Sequence, residues 1–384
     1  MTVPFSRSRS LELTGIDGSS PLGFLAALGT LVATRAAGEA EVRLRWTRAR
    51  TWLPILEGLS TPEPTTLSER LAEALRGTNV LPEAQQKRAE AEKAFKDART
   101  VVTKKRNEIK KQGLKRDERK ATIEAQVRPL EQDRDQKREE WLRALRDAVP
   151  RAELSLGARI DCSDEEYRDH ASAFRDESDH ASRESLDLLC AFGSDACRMK
   201  NSERIEPTPF CFIKGGGHQD FLDTVRQLIC VVNAERVRQA LFEPWNFRDL
   251  GLSMRWDPIE DRRYALMDRD PTASDNKSRT VWMANLLAYL GLSFFPCTPG
   301  HRGLGTTGWT THDEGHVFTW PIWEWPATPD TIRSLLQLQE LTEARPDSAI
   351  LRYRGFAAVF RARRIRVPPT GRNYKLNFSP SRAL

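Results

Sequence analysis

Nothing in this chain approaches the roughly 20 consecutive apolar residues that a membrane-spanning helix requires. The N-terminal stretch MTVPFSRSRSLELTG has no apolar run behind its basic residues, so neither a signal peptide nor an anchor is expected there. Six cysteines scattered from Cys162 to Cys297 are too sparse in 384 residues for a disulfide framework. A reducing, cytoplasmic setting without a membrane partner is the expectation. Two local scarcities say more. Residues 351–384 contain no acidic residue, and residues 82–147 contain one glycine and one internal proline. The first leaves a basic segment without nearby neutralisation, and the second allows long helices.

What is present is a divided charge. The net charge is +6, from 60 Lys+Arg against 54 Asp+Glu. Residues 83–145 hold 19 basic and 13 acidic side chains, and residues 351–384 hold 9 basic ones, so the remaining body carries 32 against 41. An acidic body with two concentrated basic elements points to a polyanion partner, because field strength follows local clustering. The plainer reading is that the charge keeps the chain soluble. Arginine outnumbers lysine except over residues 87–120, where most lysines lie, which suggests an insertion with its own task. Ten tryptophans and 39% hydrophobic residues argue for folded domains.

Along the chain, LELTGI reads as a strand, and Asp17-Gly18-Ser19-Ser20-Pro21 as the turn and cap of a helix bearing Leu22, Leu25, Ala26 and Leu28. Glu41 to Trp46 alternates as a half-buried strand, and a helix is expected over 67–75 after the loop Thr61-Pro62-Glu63-Pro64. Ala91, Phe95, Ala98, Val102 and Ile109 follow helical spacing, with Lys105 breaking the seam. With Gly113 near the middle, residues 81–150 read as an antiparallel helical hairpin, a projecting arm of about 45 Å at 1.5 Å per residue. Pro129 is expected to kink or restart its return arm. Beyond it, two acidic helices are capped at Ser163 and Ser182, PTPFCFI (207–213) reads as a strand, and a single helix runs from Asp220 to Leu241. LSMRWDP looks strand-like, VWMANLLAYLGL helical, and HVFTWPIWEW like a pair of strands. A helix near 331–340 precedes an Arg-rich strand or tail. Separate strands and helices make the fold class α+β, with body segments over 1–80 and 151–350, the hairpin insertion over 81–150 and the C-terminal element over 351–384.

Several clusters are candidate nucleic-acid contacts. The hairpin tip presents Lys104, Lys105, Arg106, Lys110, Lys111, Lys115 and Arg116. Lys214-Gly215-Gly216-Gly217-His218 joins the 207–213 segment to a helix start, where glycine backbone and helix dipole can cradle a phosphate. It lacks the GK[ST] spacing of a P-loop, and a tight packing turn explains it equally. Arg255, Arg262 and Arg263, with Trp256 and Tyr264, could contact phosphates and stack on bases, or pair with Asp257 and Asp261 in a structural network. In the C-terminal element Arg361 and Arg363 share one strand face and Arg364 and Arg366 the other, and arginine suits bidentate phosphate contacts. His312-Asp313-Glu314-Gly315-His316 resembles a zinc helix only superficially, since the glutamate does not follow the first histidine as in HExxH. His170 and His180 read as solvated. No catalytic residue, metal site or cofactor is assigned.

Four segments together carry a family likeness: LTGIDGSSPLGFLAALGTL, FCFIKGGGHQDFLDTVRQL, LFEPWNFRDLGLSMRWDPIEDRRYALMDRDP and WMANLLAYLGLSFFP. They resemble the large-subunit-like proteins of subtype I-U/I-G type I CRISPR interference complexes (Cascade), over roughly 11–60 and 207–300 and without the hairpin. The resemblance implies a non-catalytic subunit working with guide RNA, target double-stranded DNA, other Cascade subunits and a separate nuclease-helicase. It would bind DNA at the flanking motif (PAM recognition) and stabilise the R-loop in antiviral defence. The chain is short for such a subunit, so either it lacks the C-terminal helical bundle or the hairpin substitutes for it. The alternatives are a metal-dependent nuclease using His312 and His316, and a coiled-coil adaptor whose hairpin binds protein.

Overall fold

The computed structural model describes residues 9–77, 82–174, 180–213, 219–258, 279–301, 303–367 and 374–384. In chain order come β1 (Ser10–Glu12), α1 (Pro21–Ala36), β2 (Arg43–Arg48), β3 (Trp52–Glu57), α2 (Pro64–Arg76), α3 (Pro82–Lys111), α4 (Arg116–Gln126) and α5 (Arg128–Ala148). Then follow α6 (Asp164–Ala173), α7 (His180–Phe192), α8 (Phe221–Cys230), α9 (Ala234–Phe242), β4 (Asp249–Leu250), β5 (Arg279–Thr280) and α10 (Trp282–Gly291). The last part comprises β6 (Cys297–Gly300), β7 (Gly303–Thr306), β8 (Trp309–His312), β9 (Gly315–Trp323), α11 (Pro329–Leu336), α12 (Ser348–Tyr353), β10 (Phe356–Val367), β11 (Lys375–Phe378) and β12 (Arg382–Ala383). Helices alongside antiparallel sheets make this an α+β protein. It divides into two compact units, Met1–Gly77 with Ala152–Leu384, and Thr78–Arg151.

The first unit is organised around two helices apolar on every side. Every residue of α1 from Pro21 to Thr34 and of α10 from Met283 to Gly291 is buried, as a fully enclosed helix requires. They cross at glycines. A Cβ on Gly29 would lie 1.6 Å from the Leu287 carbonyl oxygen, and one on Gly291 would lie 2.2 Å from that of Leu25. Thr30 and Thr34 satisfy their buried hydroxyls on the carbonyls of Ala26 and Thr30, each at 2.7 Å. Buried Asn285 ties α10 to the preceding loop, donating to Thr280 Oγ1 and the Val281 carbonyl and accepting from Met254 N–H.

Two antiparallel sheets flank these helices, ordered β1-β3-β2 and β11-β10-β9-β8, with β12 also paired to β10. In β2 and the two residues before it the inward Val42, Leu44 and Trp46 are buried while Glu41 and Arg43 are exposed. Trp46 stacks on Phe24 at 5.8 Å, and Trp320 and Trp323 of β9 close the same cluster. The latter two anchor their indole N–H groups on the Gly18 and Leu44 carbonyls, at 2.9 and 2.8 Å. Residues 351–384 are thereby part of the first unit: β10 runs through the sheet in register with β9 (Arg361 opposite Thr319) and β11 (Arg364 opposite Phe378).

Several elements differ from the sequence expectation. PTPFCFI is not a strand. Prolines at 207 and 209 cannot donate to a ladder, and Phe210 to Ile213 are apolar because an irregular segment is buried against the core. The helix expected over 220–241 is two helices, since the Asn233 side chain caps α9 by accepting from Arg236 N–H at 2.8 Å. LSMRWDP is not a strand either, because Leu252 and Arg255 have φ of 52° and 64°. Ser163 does cap α6, in a reciprocal box with Glu166, whereas α7 starts at His180, ahead of the expected Ser182 cap. LELTGI keeps only β1 as strand, the chain turning after Leu13.

The second unit is an antiparallel helical hairpin. Outgoing α3 spans 30 residues. Gly113, at φ 63°, turns the chain into α4, a backbone conformation that none but glycine adopts cheaply. The return arm is broken at Val127, with Pro129 in the first turn of α5, where its missing N–H costs nothing. The seam holds two small apolar clusters. Phe95 stacks on Trp141 at 5.3 Å near the base, and Val102, Ile109 and Val127 pack with Leu114, Ile123 and Leu130 towards the tip.

Candidate nucleic-acid interface

The hairpin's charges are treated differently along its length. Away from the tip several are paired within the helices, Arg88 with Glu92 at 2.8 Å, Lys96 with Glu92 at 2.5 Å and Lys137 with Asp133 at 2.8 Å, whereas among the described residues Lys87, Lys93, Arg99 and Arg143 have no carboxylate within 4 Å. At the tip, Lys105 approaches Glu108 at 3.5 Å and Arg106 pairs with Glu131. Lys104, Lys110, Lys111, Lys115, Arg116, Arg119 and Lys120 are exposed or half-buried, and among the described residues none has a carboxylate within 4 Å. Lys110 and Lys111 lie in the last turn of α3, where the helix dipole welcomes cations. Lys115, Arg116, Arg119 and Lys120 stand at the opposite kind of helix end, the N-terminus of α4, where the dipole disfavours them. Helix stability therefore does not account for this half of the cluster. No residue of α4 is fully buried, and its face away from Ile123, which packs in the seam, is accessible to a partner.

The four arginines of β10 separate into different roles. Arg361 is 1% exposed and spends its guanidinium inside the fold, donating to Thr319 Oγ1 (2.8 Å) and the carbonyls of Ala344 (2.9 Å) and Glu343 (2.6 Å). It cements the 343–344 segment to the sheet and does not face a ligand. Arg363 is exposed. Arg364, on the other face, is half-buried with its guanidinium 6.0 Å over the Phe212 ring, and burial lowers its proton affinity. Arg366 is exposed and lies 4.5 Å over the ring of Tyr374. Among the described residues neither Arg364 nor Arg366 makes an ion pair or a guanidinium hydrogen bond.

Arg255 is 6% exposed on a left-handed backbone, and its neighbour Trp256 is fully buried, donating to the Phe210 carbonyl at 2.9 Å. Both belong to the core, so Trp256 offers no ring for a base. Lys214, Gly215, Gly216, Gly217, Arg262 and Arg263 lie outside the described residues. The sequence reading overlooked Tyr374 and Phe212 as partners of Arg366 and Arg364. Tyr374 had a signal, an aromatic inside the acid-free segment. Phe212 had none, because its pairing is made only by the tertiary fold.

His312 and His316 close a β-hairpin turn, with His312 opposite Gly315 and Thr311 opposite His316. Neighbouring positions on a strand face opposite ways, so the two rings point to different sides of the sheet and do not converge on one ion. Partial burial, with Arg361 and Arg364 nearby, holds both below the ordinary histidine pKa. Among the described residues no group of three or more His, Cys, Asp or Glu is arranged to hold a metal. The cysteines are all free, and burial pushes the thiols of Cys162 and Cys297 up to about 11. No described helix is long and apolar enough to cross a membrane. Comparisons with protein-family models and with curated proteins find no match for this chain.

Proposed function

We propose that the chain is a non-catalytic, nucleic-acid-binding subunit of a CRISPR RNA-guided surveillance complex of the Cascade type. In this reading it binds target double-stranded DNA at the motif flanking the guide-paired segment and stabilises the R-loop. It works with guide RNA and other Cascade subunits and leaves cleavage to a separate nuclease-helicase. The supporting observation is the cluster of unpaired cations at the hairpin tip, half of it set against the dipole of α4. Such a cluster suits a phosphate backbone followed without regard to sequence. The family likeness supplies the assembly. Guide pairing reads sequence in RNA-guided effectors, so the protein needs an electrostatic track and few base contacts.

The metal-dependent nuclease reading is disfavoured by the divergent His312 and His316 rings. Purification of the chain from its native host, followed by sequencing of bound RNA, tests the proposal. Recovery of short RNAs sharing one repeat-derived 5′ end, together with several co-purifying proteins, is the expected result. Recovery of the chain without RNA, or DNA cleavage by the purified chain with Mg²⁺, Mn²⁺ or Zn²⁺, would contradict it.

A further inference from the structure

We infer that the face of β10 carrying Arg364 and Arg366, with Tyr374 at the entry to β11, is a subsite for single-stranded nucleic acid, distinct from the hairpin tip. Arg364 and Arg366 hold a phosphate there, and Tyr374 with the Arg366 guanidinium stacks an unpaired base. This inference rests on the nucleic-acid reading above and names a second contact and the form of strand it takes.

The starting observation is an incomplete polar environment. Arg364 is half-buried, yet among the described residues its guanidinium makes no hydrogen bond and has no carboxylate within 4 Å. Its nitrogens are not sealed in the core, so a partly desolvated cation without a carboxylate stays open to an anion from solvent. The same strand shows the usual outcome at Arg361, which is buried with three acceptors. Arg366, two residues on, shares the face of Arg364 about 7 Å along the strand. It too lacks an acidic partner, so one anion can be reached by both.

The second observation is the ring. Tyr374 is 42% exposed, with Arg366 stacked at 4.5 Å. An arginine plane beside an exposed aromatic is a platform on which bases stack, and every base has a face to offer. A base within a duplex is covered above and below, so this platform favours an unpaired strand. The surrounding segment adds no opposing charge, since residues 351–384 contain no acid. An acidic protein segment would pair with the two arginines but gain nothing from the ring.

Fluorescence anisotropy with the full chain tests this, using labelled 12-nucleotide single-stranded RNA and DNA and a 20-base-pair duplex. Tyr374→Ala is expected to weaken single-strand binding about tenfold, the scale of one forfeited base stack, with duplex affinity unchanged and Tyr374→Phe near wild type. Arg366→Ala is expected to weaken single-strand binding and to reduce the salt slope by about one. Arg364 supports Phe212, so its variant is Arg364→Gln, checked by thermal melting. Single-strand affinity unchanged in Tyr374→Ala and Arg366→Ala would overturn the subsite. Equal losses for duplex and single strand in Tyr374→Ala would overturn its preference for unpaired bases. Charge reversal of Lys104, Lys110, Lys111 and Lys115 is the control. If it weakens duplex binding while the β10–β11 variants do nothing, the subsite fails and the proposed function stands. If wild type binds none of the three probes, both fail.

Discussion

Glu63 accepts from the amides of Thr65 at 2.9 Å and Thr66 at 2.6 Å at the start of α2, and these bonds hold its carboxyl at about 2, against an ordinary 4.5. A carboxylate depressed in the folded state contributes stability above its unfolded pKa and loses it as pH falls through the folded value. Glu63→Ala should therefore lower Tm at pH 7, and the gap to wild type should close between pH 4.5 and pH 2 in scanning calorimetry. An unchanging gap would assign the loss to something other than the carboxylate. The β10 arginines show what residue-level reading can reach. Period-two alternation separates Arg361 and Arg363 from Arg364 and Arg366, and the strand register agrees. Alternation could not show that carbonyls of the 343–344 segment wait for Arg361, because that segment arrives from outside the strand. Burial of Trp256 was equally hidden, since a tryptophan beside arginines looks the same whether it faces a base or the core.

At the scale of elements, legibility followed how local the cause was. The hairpin was readable from composition and spacing, and Gly113 and Pro129 stand where a turn and a helix restart need them. Asn233 was a visible cap within an otherwise continuous apolar pattern, and there the periodicity outweighed it wrongly. PTPFCFI failed as a strand because burial, not pairing, selects its apolar residues. The hairpin's thin seam makes its tryptophan important. Trp141→Ala removes the Phe95 stack and should cost about 3–5 kcal/mol locally. Hydrogen exchange should then show amides of α3 and α5 losing protection while those of α1 and α10 keep theirs. In the first unit the α1–α10 crossing has no room for a methyl group. Gly29→Ala should destabilise by about 1–3 kcal/mol or more in urea titration, and a neutral result would mean the helices separate at little cost.

For the molecule as a whole, net charge conceals a division that the structure makes physical. The C-terminal basic segment, which the sequence presents as one cluster, is shared between a core strut at Arg361 and a surface pair at Arg364 and Arg366. The hairpin tip keeps most of its cations accessible and unpaired, while several of those nearer the base pair with neighbouring carboxylates. The sequence likeness could suggest an assembly, but accessibility at each cation depends on packing and ion pairing, which only the fold determines. That the tip meets a nucleic-acid backbone is tested most directly by duplex affinity against salt concentration. Wild type is compared with a variant in which Lys104, Lys110, Lys111 and Lys115 are changed to glutamate. Every phosphate that is no longer neutralised should flatten the log–log slope by about 0.9. The variant should therefore bind more weakly, with a slope shallower by about two to four, while melting as wild type does. Equal affinity and equal slope in the two proteins would contradict a nucleic-acid role for the tip.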